Sequence, residues 1–433
     1  MTEHVLSAAA TAATPPAHGS AKMGRLAMAS SIGTTLEWYD FTVYNIMAAL
    51  VFNAVFFPSF DPLTGTILAF STYAVGYISR PLGGVVFGHL GDRLGRRFVL
   101  VATLVIMGVS TGLMGLLPTY ATIGLLAPML LLVLRILQGA AVGGEVPGAW
   151  VFVSEHVPKR HIGYACGTLT AGLTAGILLG SLVATGINAI FDPQELLAHG
   201  WRVPFVLGGI FGVGSMYLRR WLHETPVFAE LQQRKALAAE MPLKAVVRDH
   251  RGAVLISVLL TWMLSAGIVV VILLTPTYLQ TLFGFDARTA LVANSAATLF
   301  LSIGCVVAGV LADRIGARLT LSIGGALLAA TAYLLYTTIG TRPELLLPLY
   351  ALAGFFVGTI GAVPYVLVHA FPAQVRFSGL SFSYNVSYAI FGGLTPVIVS
   401  LMLKTDKLAP AHYVVGVCVM GIITALFVRK REA

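Results

Sequence analysis

Five ionisable side chains stand inside long apolar stretches of this chain: Glu37, Asp40, Arg80, Arg135 and Glu145. A charged side chain at the centre of an apolar helix costs at least about 2.5–3.5 kcal/mol if it faces lipid, so each must face an interior. Two kinds of chemistry become available there. An arginine's planar fork can bind a carboxylate through paired hydrogen bonds. A carboxylate left without a cation takes up a proton. Three acids face two arginines in this set. If both arginines pair, one acid is left to load a proton on one side and release it on the other. Asp40 is the first candidate for that acid and Glu37 the second, while Arg135 and Arg80 are the candidate anion binders. Permanent ion pairs between these arginines and Glu37, Asp40 or Glu145 are the competing reading. Glu145 lies nearer a helix end and reads as a gating or structural group.

Helices must position these groups. At 3.6 residues per turn, Gly33, Glu37, Asp40 and Tyr44 share one face; Gly76, Arg80 and Gly84 share another; Arg135, Gln138 and Gly139 share a third. Tyr44 and Gln138 therefore join the candidate binding residues, with Tyr365, Tyr384 and Asn385 from later helices. Gly172, Gly176 and Gly180, four apart, predict close helix packing. The chain is 57% hydrophobic and 10% charged, against about 25% charged in soluble domains. A membrane protein follows. Apolar runs of the required ~20 residues fall at 22–52, 66–90, 97–117, 122–150, 161–190, 203–221, 252–283, 289–312, 317–339, 345–370, 377–403 and 409–428.

The expected architecture is all-α, with twelve transmembrane helices in two six-helix halves, 22–221 and 252–428. A polar cytoplasmic linker, 222–251, joins them; a disordered tail covers 1–21 and a short tail 429–433. Basic residues crowd one side: Lys22, Arg25, Arg93, Arg96, Arg97, Lys159, Arg160, Arg219, Arg314, Arg376 and the linker set. That bias puts both termini in the cytoplasm and the chain, multi-pass, in the inner membrane. It also accounts for a formal charge of +9 through anionic lipid, without nucleic acid. Cys166, Cys305 and Cys418 lie far apart in apolar stretches, so neither a metal site nor a disulfide framework is expected. No cofactor, no nucleophile–base pair and no obligate protein partner are expected, which leaves an enzyme out of consideration.

One loop is a motif in its own right: Gly88-His-Leu-Gly-Asp92-Arg93-Leu-Gly95-Arg96-Arg97, echoed by Gly309-Val-Leu-Ala-Asp313-Arg314-Ile-Gly316-Ala-Arg318. An acid among arginines at a helix end, with glycines for tight turns, can lock neighbouring helices in one state and release them in another. Gly88, Asp92, Arg93, Gly95, Arg96, Arg97, Asp313 and Arg314 are the candidate gating residues, with Glu145. This duplicated loop resembles the signature of the major facilitator superfamily. Gly33-Thr-Thr-Leu-Glu37-Trp38-Tyr39-Asp40-Phe41, Ser79-Arg80-Pro81, Arg135 to Glu145, Glu224-Thr-Pro226-Val-Phe228 and Tyr384 to Gly393 resemble its metabolite:proton symporter family. The likeness departs at Val146-Pro147 and at His223. It implies import of a small organic acid or related metabolite with protons by alternating access. The rivals are an efflux antiporter or uniporter on the same fold, and a transporter-like ligand sensor.

Overall fold

The computed structural model describes residues 20–219, 223–234 and 242–428. The expected tails, apart from Ser20 and Ala21, and parts of the linker lie outside the described residues. The first helix, Ser20–Met47, begins inside the expected N-terminal tail. Every regular element among the described residues is helical.

Among the described residues, nine helices are long and apolar enough to cross a membrane, and a tenth appears if the bent pair Ser31–Met47 and Leu50–Phe56 is one span. The segment expected at 66–90 and the described part of that expected at 203–221 are helical but fall short of that measure. The first is two helices, Pro62–Ile78 and Arg80–Arg93, parted at Ser79. Pro81 explains the division, since its fixed φ and missing N–H suit the first turn of a new helix. The second, Val203–Arg219, has 17 residues. The linker is not plain coil. It holds the helices Pro226–Gln233, capped by the Thr225 side chain, and Pro242–Asp249.

Small residues set how closely these helices approach. A Cβ on Gly176 would sit 2.2 Å from the Thr35 carbonyl oxygen, and one on Gly83 1.9 Å from that of Ala140. Gly172 and Gly180 make similar contacts with Ser31 and Thr42, as their spacing predicts. Backbone proximity of this kind replaces the hydrophobic drive that is absent between helices in lipid. The first helix thereby lies along Ile162–Ile190, and Arg80–Arg93 along Leu126–His156. The candidate groups on those helices are brought face to face. Short π-helical stretches at Ala48–Phe52, Gly267–Leu274 and Tyr388–Gly392 interrupt three of the helices, a distortion that recurs at functional sites.

Candidate functional site

The buried charges gather into one core. Glu37, Asp40, Arg80, Arg135, Gln138 and Glu145 are each at most 1% exposed. The structure adds a member that the sequence reading had placed among the surface cations. Arg219, at the end of Val203–Arg219, turns inward and lies 2.7 Å from Glu145 Oε1. Thr103 donates to the other Glu145 oxygen at 2.5 Å, and Arg219 donates to the Leu100 carbonyl at 3.0 Å. Gly33 makes room for the pair: a Cβ there would stand 2.0 Å from Arg219 Nη2. The balance of three acids against two arginines is therefore corrected to three against three.

Glu37 takes the second arginine, with Arg80 Nη2 3.4 Å from its Oε1. Asp40 is served differently. Thr111 donates to its Oδ2 at 2.6 Å, and its Oδ1 has no hydrogen-bond partner. A Cβ on Gly208 would come within 2.7 Å of that oxygen, so the glycine leaves it space. Gln138 donates to Thr111 at 2.8 Å and accepts from Arg135. Asp40 thus connects to Arg135 through two neutral side chains. The guanidinium lies 4.1 Å from the ring centres of both Phe41 and Tyr44, a cation held between two aromatic faces. Tyr44 is fixed in turn by a 2.6 Å hydrogen bond with Thr72.

The remaining candidate binders divide. Tyr384 packs on Trp150 and lies 5.9 Å from the Arg80 guanidinium. Asn385 instead joins helices, donating to the Gly143 carbonyl at 2.7 Å. Tyr365 packs against His369 at a tilt, with ring centres 4.4 Å apart.

A second charged cluster ties the bundle at the end carrying the Gly88–Arg97 loop. Asp92 accepts from the backbone N–H groups of Phe377 and Ser378 at 3.3 and 2.9 Å, at the start of Arg376–Ser387. Asp313 does the same for Gly163 and Tyr164 at 2.7 Å each, at the start of Ile162–Ile190. Each repeated acid caps the N-terminus of a helix far away in sequence, where unpaired N–H groups and the helix dipole favour a negative charge. Gly95 and Gly316, at φ 114° and 87°, turn the chain sharply just after each acid, in a region that only glycine occupies easily.

Arg96 reaches across to the Ala373 carbonyl at 2.8 Å and lies 3.3 Å from both Asp92 and Glu155. Glu155 also holds Arg376 at 2.9 Å and Thr225 at 2.7 Å. Glu224 accepts from the backbone of Arg96 and Arg97. By contrast, Arg93, Arg97 and Arg314 have exposed side chains. Single-position reading missed Thr111, Glu155, Glu224, Arg219 and Arg376 as members of these clusters. A signal for the first existed: Thr103 and Thr111 fall on one face of an otherwise apolar helix.

A bundle of apolar helices enclosing such a core, with one end tied by breakable polar contacts, has the make-up of a membrane transporter. The chain belongs to the major facilitator superfamily, whose family model matches residues 30–396. It is 34% identical to the proline/betaine transporter of Salmonella typhimurium, over 94% of this chain and 84% of that protein. It is 32% identical to the shikimate transporter of Escherichia coli, over 94% of this chain and 95% of that one. In fold it resembles the proton:xylose symporter XylE bound to 6-bromo-6-deoxy-D-glucose, with a TM-score of 0.78 at 20% identity over 95% and 96% of the two chains. The motif resemblance is borne out, and the protein is a transporter rather than an enzyme.

Proposed function

We propose that this transporter is a proton symporter that imports a small carboxylate-bearing metabolite across the inner membrane. It works as two six-helix halves, 22–221 and 252–428, that rock about a central site, with both termini and the linker in the cytoplasm. The observation that carries the reading is Asp40, a buried carboxylate held by one hydroxyl and linked by Thr111 and Gln138 to Arg135.

Charge balance supplies the coupling. With Asp40 ionised, its charge and that of Arg135 offset each other, and the empty core can rearrange. Once Asp40 is protonated, Arg135 is left with an excess positive charge that a substrate carboxylate neutralises. The doubly loaded core is again balanced. Loading by the proton alone or by the substrate alone leaves a net charge in a medium of low dielectric, which opposes the switch. Glu37 and Arg80 flank this site, with Glu37 the second candidate for the proton. Tyr44 and Gln138 hold the Arg135 fork in place. Asp92, Arg96, Glu145 and Asp313, with Glu155 and Arg376, act as the cytoplasmic gate, closed in this conformation; opening it uncaps two helices.

The relatives' names support a carboxylate, the group that proline, betaine and shikimate have in common. The test is uptake by vesicles containing the purified protein, with an inward pH gradient and a panel of di- and tricarboxylates, aromatic acids and betaines. Accumulation of one acid above equilibrium, accompanied by proton entry and abolished by a protonophore, is the expected result. Accumulation that ignores the gradient, or substrate export driven by proton entry, would replace the symporter with a uniporter or an antiporter.

A further inference from the structure

Two close packings hold the walls of one crevice apart. Val203–Arg219 lies against Arg96–Leu116 glycine on glycine: a Cβ on Gly212 would stand 2.7 Å from the Gly108 Cα, and one on Gly209 2.8 Å from the Gly112 Cα. Ile162–Ile190 is drawn instead onto the first helix through Gly172, Gly176 and Gly180. Val203–Arg219 and Ile162–Ile190 therefore scarcely meet. Between them lies a cavity of about 420 Å³ with the first helix as its floor.

Leu179 forms one wall, Ile210, Phe211 and Gly214 the other, and Leu36 and Tyr39 the floor. Leu179, Ile210 and Phe211 are 37%, 59% and 42% exposed, while Leu36 and Tyr39 are buried. The crevice thus opens on the outer surface of the bundle. Asp40, next to Tyr39, turns to the core instead, toward Thr111. Among the described residues no charged side chain lines the crevice. Its polar groups are largely bonded already: the Tyr39 hydroxyl donates to the Pro204 carbonyl at 2.7 Å, and the Thr35 hydroxyl to that of Gly172 at 2.8 Å. Beside the Ser215 hydroxyl, what remains is hydrocarbon and ring surface.

The outer surface of a transmembrane bundle is in contact with the bilayer, so what stands before this opening is lipid hydrocarbon. A gap left empty there would cost its lining atoms their dispersion contacts. A lipid chain on a smooth helical face is touched on one side, but in the crevice it is touched on several. Lipid tails are as apolar as leucine, so that gain in contact, rather than exclusion of water, selects the occupant. We infer that the crevice is a binding site for one acyl chain of a bilayer phospholipid, recognised by its hydrocarbon and not by its headgroup. The chain is a wedge behind the first helix. Tyr39 meets Phe211 edge-on at 5.9 Å, and a Cβ on Gly208 would lie 3.2 Å from the Tyr39 ring and 2.7 Å from Asp40 Oδ1. A chain packed on Tyr39 therefore bears on the segment that positions Asp40. The inference needs the membrane fold, and it stands whether or not transport is coupled to protons.

The test uses the full chain in phosphatidylcholine vesicles with a trace of the same phospholipid carrying a diazirine midway along one acyl chain. After irradiation and digestion, labelled residues are mapped by mass spectrometry. Labelling of 32–39 and 210–215 is expected to exceed several-fold that of the reference stretch 319–327, where Leu319, Ile323 and Leu327 are likewise exposed. Gly214→Phe fills the crevice, since a Cβ there meets nothing within 4 Å. It is expected to abolish the excess and leave the reference labelling unchanged, which also shows that the fold is intact. In detergent, added phospholipid should raise the unfolding midpoint of the wild type and leave that of Gly214→Phe where it is. A phosphatidylglycerol probe should label the same residues to the same extent. Labelling no heavier in the crevice than on 319–327 overturns the inference, because the lipid is then a boundary layer only. So does an excess that survives Gly214→Phe, or one that depends on the headgroup. Efficient disulfide dimerisation of Ile210→Cys overturns it too, by putting a second copy of the chain in the place of the lipid.

Discussion

The interiors of residues 20–219 and 252–428 are built from different chemistry. The first encloses Glu37, Asp40, Arg80, Asp92, Arg96, Arg135, Glu145, Glu155 and Arg219, all buried. In the second, the buried polar side chains among the described residues are Ser, Thr and Asn, together with tyrosine hydroxyls. There, Tyr336 meets Thr275 at 2.5 Å, Tyr350 donates to Asn294 at 2.5 Å, and Tyr413 joins Thr395 at 2.7 Å and Trp262 at 3.0 Å. Neutral hydrogen bonds fix the shape of a core whatever the pH. Buried ion pairs do so only while every partner keeps its protonation state, and they respond strongly when one changes. The contrast suggests a division of labour, with protons and substrate charge handled by the first region and a rigid counter-surface supplied by the second.

The sharpest way to break that division is Asp40→Asn. Uphill accumulation under a pH gradient should vanish, while substrate exchange across vesicles without a gradient continues; accumulation that persists would move proton coupling away from Asp40. Next in size is the Arg219 pair. Arg219→Gln strands Glu145 in the core and should lower stability by about 3–5 kcal/mol, seen as a fall in the unfolding midpoint in detergent. The double variant Glu145→Gln with Arg219→Gln should recover most of that loss. If the single and double variants are equally unstable, the pair is not a closed unit.

A smaller effect is expected at the seam between Lys159–Ile190 and Arg288–Ile315. A Cβ on Gly309 would stand 2.3 Å from the Gly163 carbonyl oxygen. Gly309→Ala should cost about 1–3 kcal/mol in the closed arrangement. It should also speed maleimide labelling of Cys166 and Cys305, both buried in the present state. The smallest effect belongs to the neutral region. Tyr413→Phe removes two hydrogen bonds and should cost roughly 1–3 kcal/mol, with the pH-gradient dependence of uptake unaltered. Loss of proton coupling in that variant would refute the division of labour.

The charged residues themselves were legible as a set because ionisable groups are so rare in apolar helices that each one is conspicuous. Helical periodicity put Glu37 and Asp40 on one face correctly, and the repeated loop marked Asp92 and Asp313. What periodicity cannot supply is the partner. Arg219 looked like one more cation at a membrane edge, and its inward turn depends on the space that Gly33 leaves on another helix. Asp92 and Asp313 looked like members of arginine clusters, yet each caps the backbone of a distant helix, a contact that leaves no residue type as its signature. Arg93 and Arg314, equally prominent in the motif, are exposed.

Composition and the spacing of apolar runs, on their own, determined that this chain is a helical membrane protein, because the transfer energies that place a helix in lipid depend on local sequence alone; the major facilitator kind was legible through the resemblance of its duplicated loop and the motifs beside it. Only the tertiary structure decided which acid has no direct arginine contact, which rings hold Arg135, and which helices the two loop acids hold. Those outcomes depend on the distances between side chains far apart in sequence, and packing between helices sets them.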